Sequence, residues 1–286
     1  AWLDRTLPAI AAQTRRPDDV LLVDAGSGDG SAARLQQAAP NRFVSVPAGS
    51  FGAAVDHALR SQGTQASLGE WLWLLSADTV PAPDALERLL AAVEVAPSVA
   101  VAGPKLVDPD DPSLLRSFGE SLSRYGETVP LVDGELDQAQ YDRDDDVLGV
   151  SSSAMLVRRS TWEQLGGFDP GLPTADAGLD FSIRTRLAGA RVLRVPDARV
   201  ARGLGPEDFG RRRPASERVR ARIARTAQLH RRLVYAPAGS LPFHWLSLVP
   251  IALLRSLGHL LGKRPWLIGG ELAAAFDDDR YHPRGA

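Results

Sequence analysis

The 286-residue chain contains no cysteine. This absence excludes disulfides and thiolate metal sites, and it fits a reducing compartment without establishing one. The five histidines are not paired at metal-ligand spacing, so the sequence predicts no histidine-based zinc site. The net charge of −2 gives no overall electrostatic reason to expect a nucleic-acid partner.

Two catalytic signatures are also missing. The glycine-containing segment "GLPTADAGLD" has no phosphate-loop lysine, which argues against a nucleotide triphosphatase. The serines 151–153 lack the Gly-x-Ser-x-Gly turn of a serine hydrolase. They either take part in a binding site or simply form the polar start of a strand, and Trp162 is a further candidate for contacting a substrate.

Short apolar segments alternate with helical segments through the first half of the chain. This alternation predicts an α/β fold with a doubly wound, mostly parallel sheet and flanking helices. The predicted strands are "VLLVD" (20–24), "RFVSVP" (42–47), "EWLWLLSAD" (70–78) and "VAVAGPKLVD" (99–108). Asp24 and Asp78 stand at the carboxyl ends of two of these strands, where ligands bind in such sheets. A strand-end aspartate can alternatively be only a turn or helix-cap residue.

The second half of the chain is less regular. Residues 108–147 predict an excursion of loops and short elements, followed by further strands and helices up to about residue 202. We expect one domain over 1–235 and a helical tail over 236–286. We also expect the first strand of the domain to precede Ala1.

Basic residues concentrate near the end of the predicted domain. Ten arginines stand there against only Glu207, Asp208 and Glu217. The ten are Arg202, Arg211, Arg212, Arg213, Arg218, Arg220, Arg222, Arg225, Arg231 and Arg232. Such a block suits phosphates of lipid headgroups or nucleic acid, or it is a solvated helix surface. Aromatic residues do not interleave the arginines as base stacking would favour, so we expect no nucleic-acid partner.

The tail segment 239–270 is apolar on most faces and is interrupted by His244, Pro250, Arg255 and His259. Its uninterrupted parts are too short and broken for a confident membrane span. Leucine and tryptophan on one side and basic residues on the other favour a helix in the membrane interface. The alternative is a helical hairpin packed on the domain. We expect residues 202–268 to face a membrane surface.

Four ordered blocks together resemble family 2 glycosyltransferases of the GT-A fold. "LPAIAAQTRRPDDVLLVDAGSGDGS" resembles the helix, strand and Asp-x-x-Ser-x-Asp-Gly signature at the start of that family. "GEWLWLLSADTVPAPDALERLL" resembles the strand, metal-binding acidic motif and helix that follow. "AMLVRRSTWEQLGGFDP" looks like the acceptor-side strand, helix and turn, and "LDFSIRTRLAGARVLRVPDARV" is similar to the Glu-Asp-x-Asp helix and its next strand.

The resemblance implies a site for a nucleotide-diphospho-sugar. By resemblance, Asp24 would bind the nucleotide base and Ser27 would shape its loop. The remaining donor contacts would come from Ala25, Asp56 and Ala77. Asp78 would hold a divalent cation, Mg²⁺ or Mn²⁺, that stabilises the leaving diphosphate as a Lewis acid. Asp180, or Asp176 as a substitute, would act as the general base toward the acceptor hydroxyl, with inversion at the anomeric carbon.

The chain departs from the family pattern at several positions. Ser76 and Ala77 stand where the family has further acidic residues, so Asp78 alone remains. Ala177 and Gly178 fill the first two positions of the Glu-Asp-x-Asp motif, where the family's general base normally lies. Arg199 and Arg202 occupy the segment in which a histidine is often found. Losing a general base typically costs a factor of about 10² to 10⁴ in rate.

Two functions therefore stay open. The first is an enzyme on the cytoplasmic face of the cell membrane, peripheral or part of a larger membrane protein. It would move a sugar from a nucleotide-diphospho-sugar to a lipid-linked or cell-envelope acceptor. The second is a catalytically inactive glycosyltransferase-like binding or scaffold module of a larger membrane protein.

Overall fold

The computed structural model describes residues 2–38, 42–47, 50–61, 69–143, 145–172, 174–203 and 216–275, with the side chains of 174–176 left out. Within these ranges the strands are β1 Leu22–Asp24, β2 Phe43–Ser45, β3 Trp71–Trp73, β4 Thr79–Pro81, β5 Val99–Val107, β6 Leu114–Ser117, β7 Glu120–Leu122, β8 Thr128–Pro130, β9 Glu135–Leu136, β10 Leu156–Arg158 and β11 Arg191–Arg202. The helices are α1 Leu3–Ala11, α2 Ser31–Ala38, α3 Phe51–Ser61, α4 Ala85–Glu94, α5 Arg159–Leu165, α6 Thr174–Leu187, α7 Glu217–Val234, α8 Leu241–Leu246, α9 Leu248–Leu261 and α10 Ile268–Ala275.

The central sheet has the order β3-β10-β5-β11-β4, with β6 added to β5 and β9 to β6. Strand β5 is buried along its whole length, because helices and loops cover both faces of the sheet there. The main apolar cluster on one face contains Trp162, Phe168 and Phe181, and the cluster on the other face contains Leu89 of α4. The α/β class is confirmed.

The sheet is mixed rather than mostly parallel. Parallel pairing joins β5 to β11, and β1 to β2 in a separate two-stranded sheet, whereas β3, β4 and β10 pair antiparallel. The physical reason is in the connections. No helix crosses over between β3 and β4, and β10 follows the long excursion, so neither strand is constrained to run parallel.

The third predicted strand, 70–78, is shorter than expected, since only Trp71–Trp73 is strand. After the turn that contains Asp78, Thr79–Pro81 forms β4 and pairs with β11 at the end of the sheet. No strand was predicted from the sequence over 79–81, which contains Pro81. At the edge of a sheet a proline is tolerated, since its nitrogen has no ladder partner to lose.

The predicted excursion forms the short strands β6 to β9 and is fastened by a buried ionic cluster. Lys105 Nζ lies 3.0 Å from Asp137 Oδ1 and 2.6 Å from Asp142 Oδ1. Arg199 also pairs with Asp137, and its other terminal nitrogen donates to the carbonyl of Pro112 at 3.1 Å. Arg199 therefore anchors the excursion where the resembled family often has a histidine.

The described part of the tail consists of α8, α9 and α10, which pack against one another and against α7. Among the described helices, none alone combines the length and apolar composition needed to cross a bilayer. Residues 238–246 and 248–261 meet that criterion only as a pair, and a 45° bend separates them.

Candidate active site

Asp24 lies at the carboxyl end of β1 with 3% of its surface exposed. Its carboxylate accepts hydrogen bonds from the backbone N–H of Ser27 at 3.2 Å and from the hydroxyl of Ser45 at 3.4 Å. Ser27 itself is exposed, and Ala25 is half-buried. Asp24 thus holds the shape of its loop, while the loop presents Ala25 and Ser27 toward solvent.

Asp78 lies in the turn between β3 and β4. Its Oδ1 accepts a hydrogen bond from the hydroxyl of Ser76 at 2.6 Å. Its Oδ2 is buried and has no hydrogen-bond partner among the described residues. Leaving a buried carboxylate oxygen unpaired is costly, because the oxygen has lost water without gaining a donor. One oxygen of Asp78 is therefore oriented by Ser76 and the other is available to a cation.

The donor set around Asp78 fits a loosely held hard cation better than a closed metal cage. Within the described ranges, no group of three or more histidine, cysteine, aspartate or glutamate side chains could hold an ion. Mg²⁺ and similar ions keep several waters and take ligands from substrate phosphates, so one protein carboxylate can suffice. The residues present thus fit a divalent ion that is shared with a bound diphosphate.

The turn of Asp78 is joined to two other segments of the site. The hydroxyl of Thr6 in α1 donates to the carbonyl of Ala77 at 2.9 Å. On the opposite side, the backbone N–H of Ser76 donates to the carbonyl of Ser153 at 2.9 Å. The serines 151–153 are all buried, so they connect the strand ends rather than offering exposed hydroxyl groups to an acceptor.

The start of α6 packs closely against this serine segment. A Cβ placed on Gly178 would lie 2.4 Å from the carbonyl oxygen of Val150 and 2.5 Å from the nitrogen of Ser152. Both atoms belong to backbone, which cannot rotate away as a side chain can. Ala177 has 2% of its surface exposed and belongs to the main apolar cluster. The two departures from the acidic motif are therefore built into the packing, since neither position has room for a solvated carboxylate.

Asp180 is buried, with 1% of its surface exposed, and both of its oxygens have partners. Oδ2 accepts from Nε of Arg184 at 2.8 Å, and Oδ1 accepts from the hydroxyl of Tyr235 at 2.6 Å. Burial, and then the negative charge of Asp180, raises the pKa of Tyr235 above its usual range. Tyr235 thus stays protonated and donates to Asp180, which favours a positioning role for Asp180 over proton abstraction.

Asp176 and Asp56 are the remaining predicted site residues. Asp176 belongs to α6, and its side chain is outside the described part of the structure. Asp56 in α3 lies beside Gly167, where an added Cβ would meet its Oδ1 at 2.4 Å, and it pairs with Arg60 at 3.4 Å. Burial raises the pKa of Asp56. Asp56 therefore borders the Gly-Gly turn after α5 rather than the loop of Asp24.

The Gly-Gly-Phe-Asp turn links α5, α6 and α7. Gly166 and Gly167 both have positive φ angles, +72° and +76°, which a residue with a side chain adopts only with strain. Asp169 then accepts from the backbone N–H of Gly171 at 2.7 Å and pairs with Nε2 of His230 at 2.9 Å. The hydrogen bond with His230 holds the pKa of Asp169 below its usual value. The turn thus fastens α7 to the domain.

Two expectations about larger side chains need correction. Trp162 is 4% exposed and packs on Phe168 with ring centroids 4.8 Å apart, so it is a core residue and does not reach an acceptor. Within the arginine block, Arg225 and Arg231 are 5% and 1% exposed and point into the protein. They are therefore unavailable to external phosphates. Arg211, Arg212 and Arg213 lie outside the described residues.

Sequence reasoning missed Ser76 and Tyr235, which orient the predicted Asp78 and Asp180, and His230, which pairs with Asp169 of the Gly-Gly-Phe-Asp turn. Tyr235 and His230 lie 55 and 61 residues from their aspartate partners. No local spacing could pair them, although the burial of the last turns of α7 is consistent with the apolar residues among its arginines. Ser76 was noted only as a lost acid, whereas the short Ser-x-Asp spacing is itself a signal for a local hydrogen bond.

Residues 1–235 match the family model described as "Glycosyltransferase like family 2". The chain belongs to this family and has the GT-A fold. Over 217 residues it is 29% identical to the N-acetylglucosaminyl-diphospho-decaprenol L-rhamnosyltransferase of Mycobacterium tuberculosis, found in two strains. That match covers 69% of this chain and 70% of the relative.

Solved structures show the same fold at low identity. The mannosyltransferase PcManGT from Pyrobaculum calidifontis, in complex with GDP-Man and Mn²⁺, has a TM-score of 0.53 and 18% identity, covering 97% of this chain and 83% of that one. S. aureus TarS 1-349 with UDP-GlcNAc has a TM-score of 0.52 and 12% identity, with 98% and 89% covered. GalNAc-T7 with UDP, GalNAc and Mn²⁺ has a TM-score of 0.53 and 16% identity, and 80% of this chain matches 44% of it.

Proposed function

We propose that this protein transfers a sugar from a nucleotide-diphospho-sugar to a lipid-linked acceptor, with inversion at the anomeric carbon. The observation that carries this proposal is the unpaired, buried Oδ2 of Asp78 at the sheet edge where family members bind donors. The rhamnosyltransferase relative, whose acceptor is a sugar on decaprenyl diphosphate, makes L-rhamnose and a polyprenyl-diphosphate sugar our first choices for the donor sugar and acceptor.

In this proposal the loop of Asp24 and the turn of Asp78 bind the donor. Asp24 keeps its loop in shape so that Ala25 and Ser27 contact the nucleotide. Asp78, oriented by Ser76, holds a divalent cation, Mg²⁺ or Mn²⁺, with the exposed Ala77 beside it. When bound, that ion neutralises the charge that develops on the leaving diphosphate. Asp56 is proposed as a further donor contact from the side of α3.

The acceptor side is assigned by the same reasoning. Asp180 is held by Arg184 and Tyr235 and therefore positions α6. Proton removal from the acceptor hydroxyl falls to a carboxylate at the start of α6, and Asp176 is the acidic residue there. The carboxylate would accept the proton as the hydroxyl oxygen attacks the anomeric carbon and the diphosphate departs on the opposite side.

A second function is favoured by one specific observation, the close packing at Gly178 and the buried Ala177. Because closely packed Ala177 and Gly178 replace the acidic residues of the motif, the protein could bind a sugar nucleotide without transferring the sugar. In that case the protein is a glycosyltransferase-like binding or scaffold module. Donor binding would persist, and transfer would be absent.

The lipid-linked acceptor also implies a place in the cell. We propose that the domain over 1–235 works at the cytoplasmic face of the cell membrane, with the tail over 236–286 and the surface of residues 202–268 toward the lipid. The protein would be peripheral or part of a larger membrane protein.

Calorimetry with UDP, GDP and dTDP, each with and without Mg²⁺ or Mn²⁺, tests the proposal. We expect one nucleotide to bind, and to bind more tightly with the cation. Absence of binding to all three nucleotides would refute both functions. Binding without release of nucleotide when the corresponding sugar nucleotide and a polyprenyl-diphosphate acceptor are added would support the inactive module.

A further inference from the structure

The tail carries a continuous apolar surface, which we call the apolar face, between Leu241 and Trp266. Of the eighteen large apolar residues that are exposed in the described part of the chain, eleven lie in this segment. Phe243, Trp245 and Leu254 are 70%, 58% and 69% exposed. Soluble monomers rarely show a contiguous apolar surface of this kind unless something covers it.

In α9, by contrast, Ser256 is buried, and Arg255 and His259 reach toward α10, although 45% of the Arg255 side chain remains exposed. In α9 the buried positions are Leu248, Ala252 and Ser256, while Arg255 reaches Glu271 of α10 with Nε 3.0 Å from Oε1. Glu271 is 5% exposed and also pairs with the buried Arg225 of α7 at 2.9 Å.

His259 completes this group, with Nε2 3.5 Å from Oε1 of Glu271. The charges of three helices are thus gathered around one buried carboxylate, and leucines cover the outside. This arrangement is the reverse of a helix that faces water.

Burying charges around Glu271 while leaving leucines exposed has an energetic cost. A buried ion group is costly to assemble because each charge must lose its water. Arg255 and His259 are placed on α9 so that they satisfy Glu271, which leaves Leu253 and Leu257 on the outside. Exposed to water, these leucines contribute no hydrophobic stabilisation. In contact with hydrocarbon, their apolar surface would be removed from water, which is favourable. The tail is therefore built for an apolar surrounding on its outer side.

The charge and aromatic pattern decides which apolar partner fits. Residues 216–275 contain nine lysines and arginines against two glutamates, Glu217 and Glu271. Lys263 and Arg264 are exposed and stand directly after α9. Trp245 and Trp266 flank the apolar face, as tryptophans do at the boundary between lipid headgroups and hydrocarbon. Like basic surfaces repel each other, so a second copy of this chain fits less well than an anionic surface.

We propose that the apolar face of α8 and α9 inserts into the interface of an anionic lipid bilayer. The Glu271 group keeps the charges of the tail away from the hydrocarbon, and Lys263 and Arg264 contact the headgroups. The inserting surface is this pair of helices and not the arginine block of α7, whose Arg225 and Arg231 are internal. This inference does not depend on sugar transfer, because lipid binding is measured without donor or acceptor.

The test is flotation of the full chain with vesicles of phosphatidylglycerol and phosphatidylcholine, without any sugar nucleotide. The double variant L253S/L257S removes two exposed side chains from the apolar face. The control L136S/L187S removes two leucines that are 56% and 74% exposed elsewhere on the domain. We expect the first pair to lower the vesicle partition coefficient by about tenfold or more. We expect the control pair to leave it within about twofold.

A second readout locates the insertion. Lipids brominated on their acyl chains should quench part of the tryptophan fluorescence of the bound protein, and the variant W245F should lose most of that quenching. Equal flotation of L253S/L257S and wild type would overturn the proposal. So would wild-type protein that forms dimers without vesicles and loses them in L253S/L257S, because the face would then bind a second copy. Circular dichroism of each variant confirms that it is folded.

Discussion

At the scale of single residues, Ser76 orients Asp78, the carboxylate that we propose as the cation ligand. The serine hydroxyl donates to one carboxylate oxygen, and this fixes the direction of the other. Partners that orient a metal ligand typically change metal affinity by about 10- to 100-fold when they are removed. In our proposal Ser76, which stands where the family has an acid, is therefore an orienting group and not a ligand.

We expect Asp78→Ala to abolish the increase in nucleotide affinity that Mg²⁺ or Mn²⁺ produces, because the open oxygen is then gone. Ser76→Ala should reduce the same increase by about tenfold, since Asp78 loses its orientation. Calorimetry with and without the cation measures both effects. Asp84→Ala, which removes an exposed carboxylate paired with Arg88, is the matched control and should change nothing. Unchanged metal dependence in Asp78→Ala would show that the cation lies elsewhere.

The conclusion that close packing excludes an acidic side chain at Gly178 can be tested by introducing one. Gly178→Asp forces a Cβ into the backbone of Val150 and Ser152, so we expect a loss of about 3 kcal/mol or more in the free energy of unfolding. Gly239→Asp is the control, because nothing lies within 4 Å of a Cβ there, and its cost should stay within about 0.5 kcal/mol. Urea denaturation compares the two. A stable and more active Gly178→Asp protein would contradict the packing argument.

At the scale of elements, α7 holds α6 in place. Its residues 225–231 are buried, and His230 pairs with Asp169 while Arg231 donates to the carbonyl of Gly126 in the β7–β8 hairpin at 3.0 Å. Tyr235, directly after the helix, donates to Asp180 of α6. Because α8 to α10 follow directly, the same helix connects the tail to α6. Loosening α7 should therefore disturb α6 before it disturbs the central sheet.

Tyr235→Phe removes one of the two donors to the buried Asp180 and leaves the ring in place. We expect a loss of about 1 to 3 kcal/mol in the free energy of unfolding, the usual cost of leaving a buried polar group unpaired. Tyr125→Phe removes the hydroxyl of a tyrosine that is 54% exposed, and should cost less than about 0.5 kcal/mol. Denaturation by urea distinguishes them, and equal costs would mean that Asp180 finds another donor.

The contribution of the Asp169–His230 pair to the free energy of unfolding depends on pH. The pKa of Asp169 in the folded protein lies below its ordinary value of 3.8, so the unfolded chain binds more protons near that pH. The stability from Asp169 is therefore present above pH 3.8 and is lost as the pH falls through the lowered pKa. We expect the difference in unfolding free energy between wild type and Asp169→Asn to shrink toward zero on acidification. A difference that grows in acid would contradict this.

The elements show how far sequence reasoning reaches in this protein. Strand β1, strand β5 and the position of Asp24 at the end of β1 were predictable, because local apolar runs and turn residues determine them. Asp78 lies instead in the turn after a shorter strand than predicted. The antiparallel β4 and the inward-facing Arg225 were not, since both depend on partners far along the chain. The sequence alone shows that Ala177 and Gly178 stand where the family has acidic residues. The close packing that excludes a carboxylate at these positions is visible only in the structure.

At the scale of the whole molecule, the tail is distinguished by apolar side chains on its outside and a buried charge within. The exposed side chains of α9 include five leucines, whereas Glu271 of α10 is buried and pairs with the buried Arg225 of α7. We expect Glu271→Gln, which removes the charge at nearly constant volume, to destabilise the tail by about 3 kcal/mol, because Arg225 is left as a buried unpaired cation.

Limited proteolysis measures this effect on the tail. We expect faster cleavage within residues 236–275 of Glu271→Gln than of wild type, with the cleavage rate of the domain unchanged. Glu217→Gln is the control, since this glutamate is exposed and its partner Arg264 is 3.6 Å away and also exposed. Equal cleavage of the tail in wild type and Glu271→Gln would show that the buried ion group contributes little.

The separation of β1 and β2 from the central sheet has a consequence for how the molecule opens. Two paired strands of three residues, supported by a cluster around Leu3, Leu22 and Leu35, make a marginal cooperative unit. We expect amide hydrogens of 22–24 and 43–45 to exchange with solvent well before those of β5. A nucleotide bound to the Asp24 loop would add its binding free energy to this unit, so slowed exchange there would report donor binding even in a chain that transfers nothing.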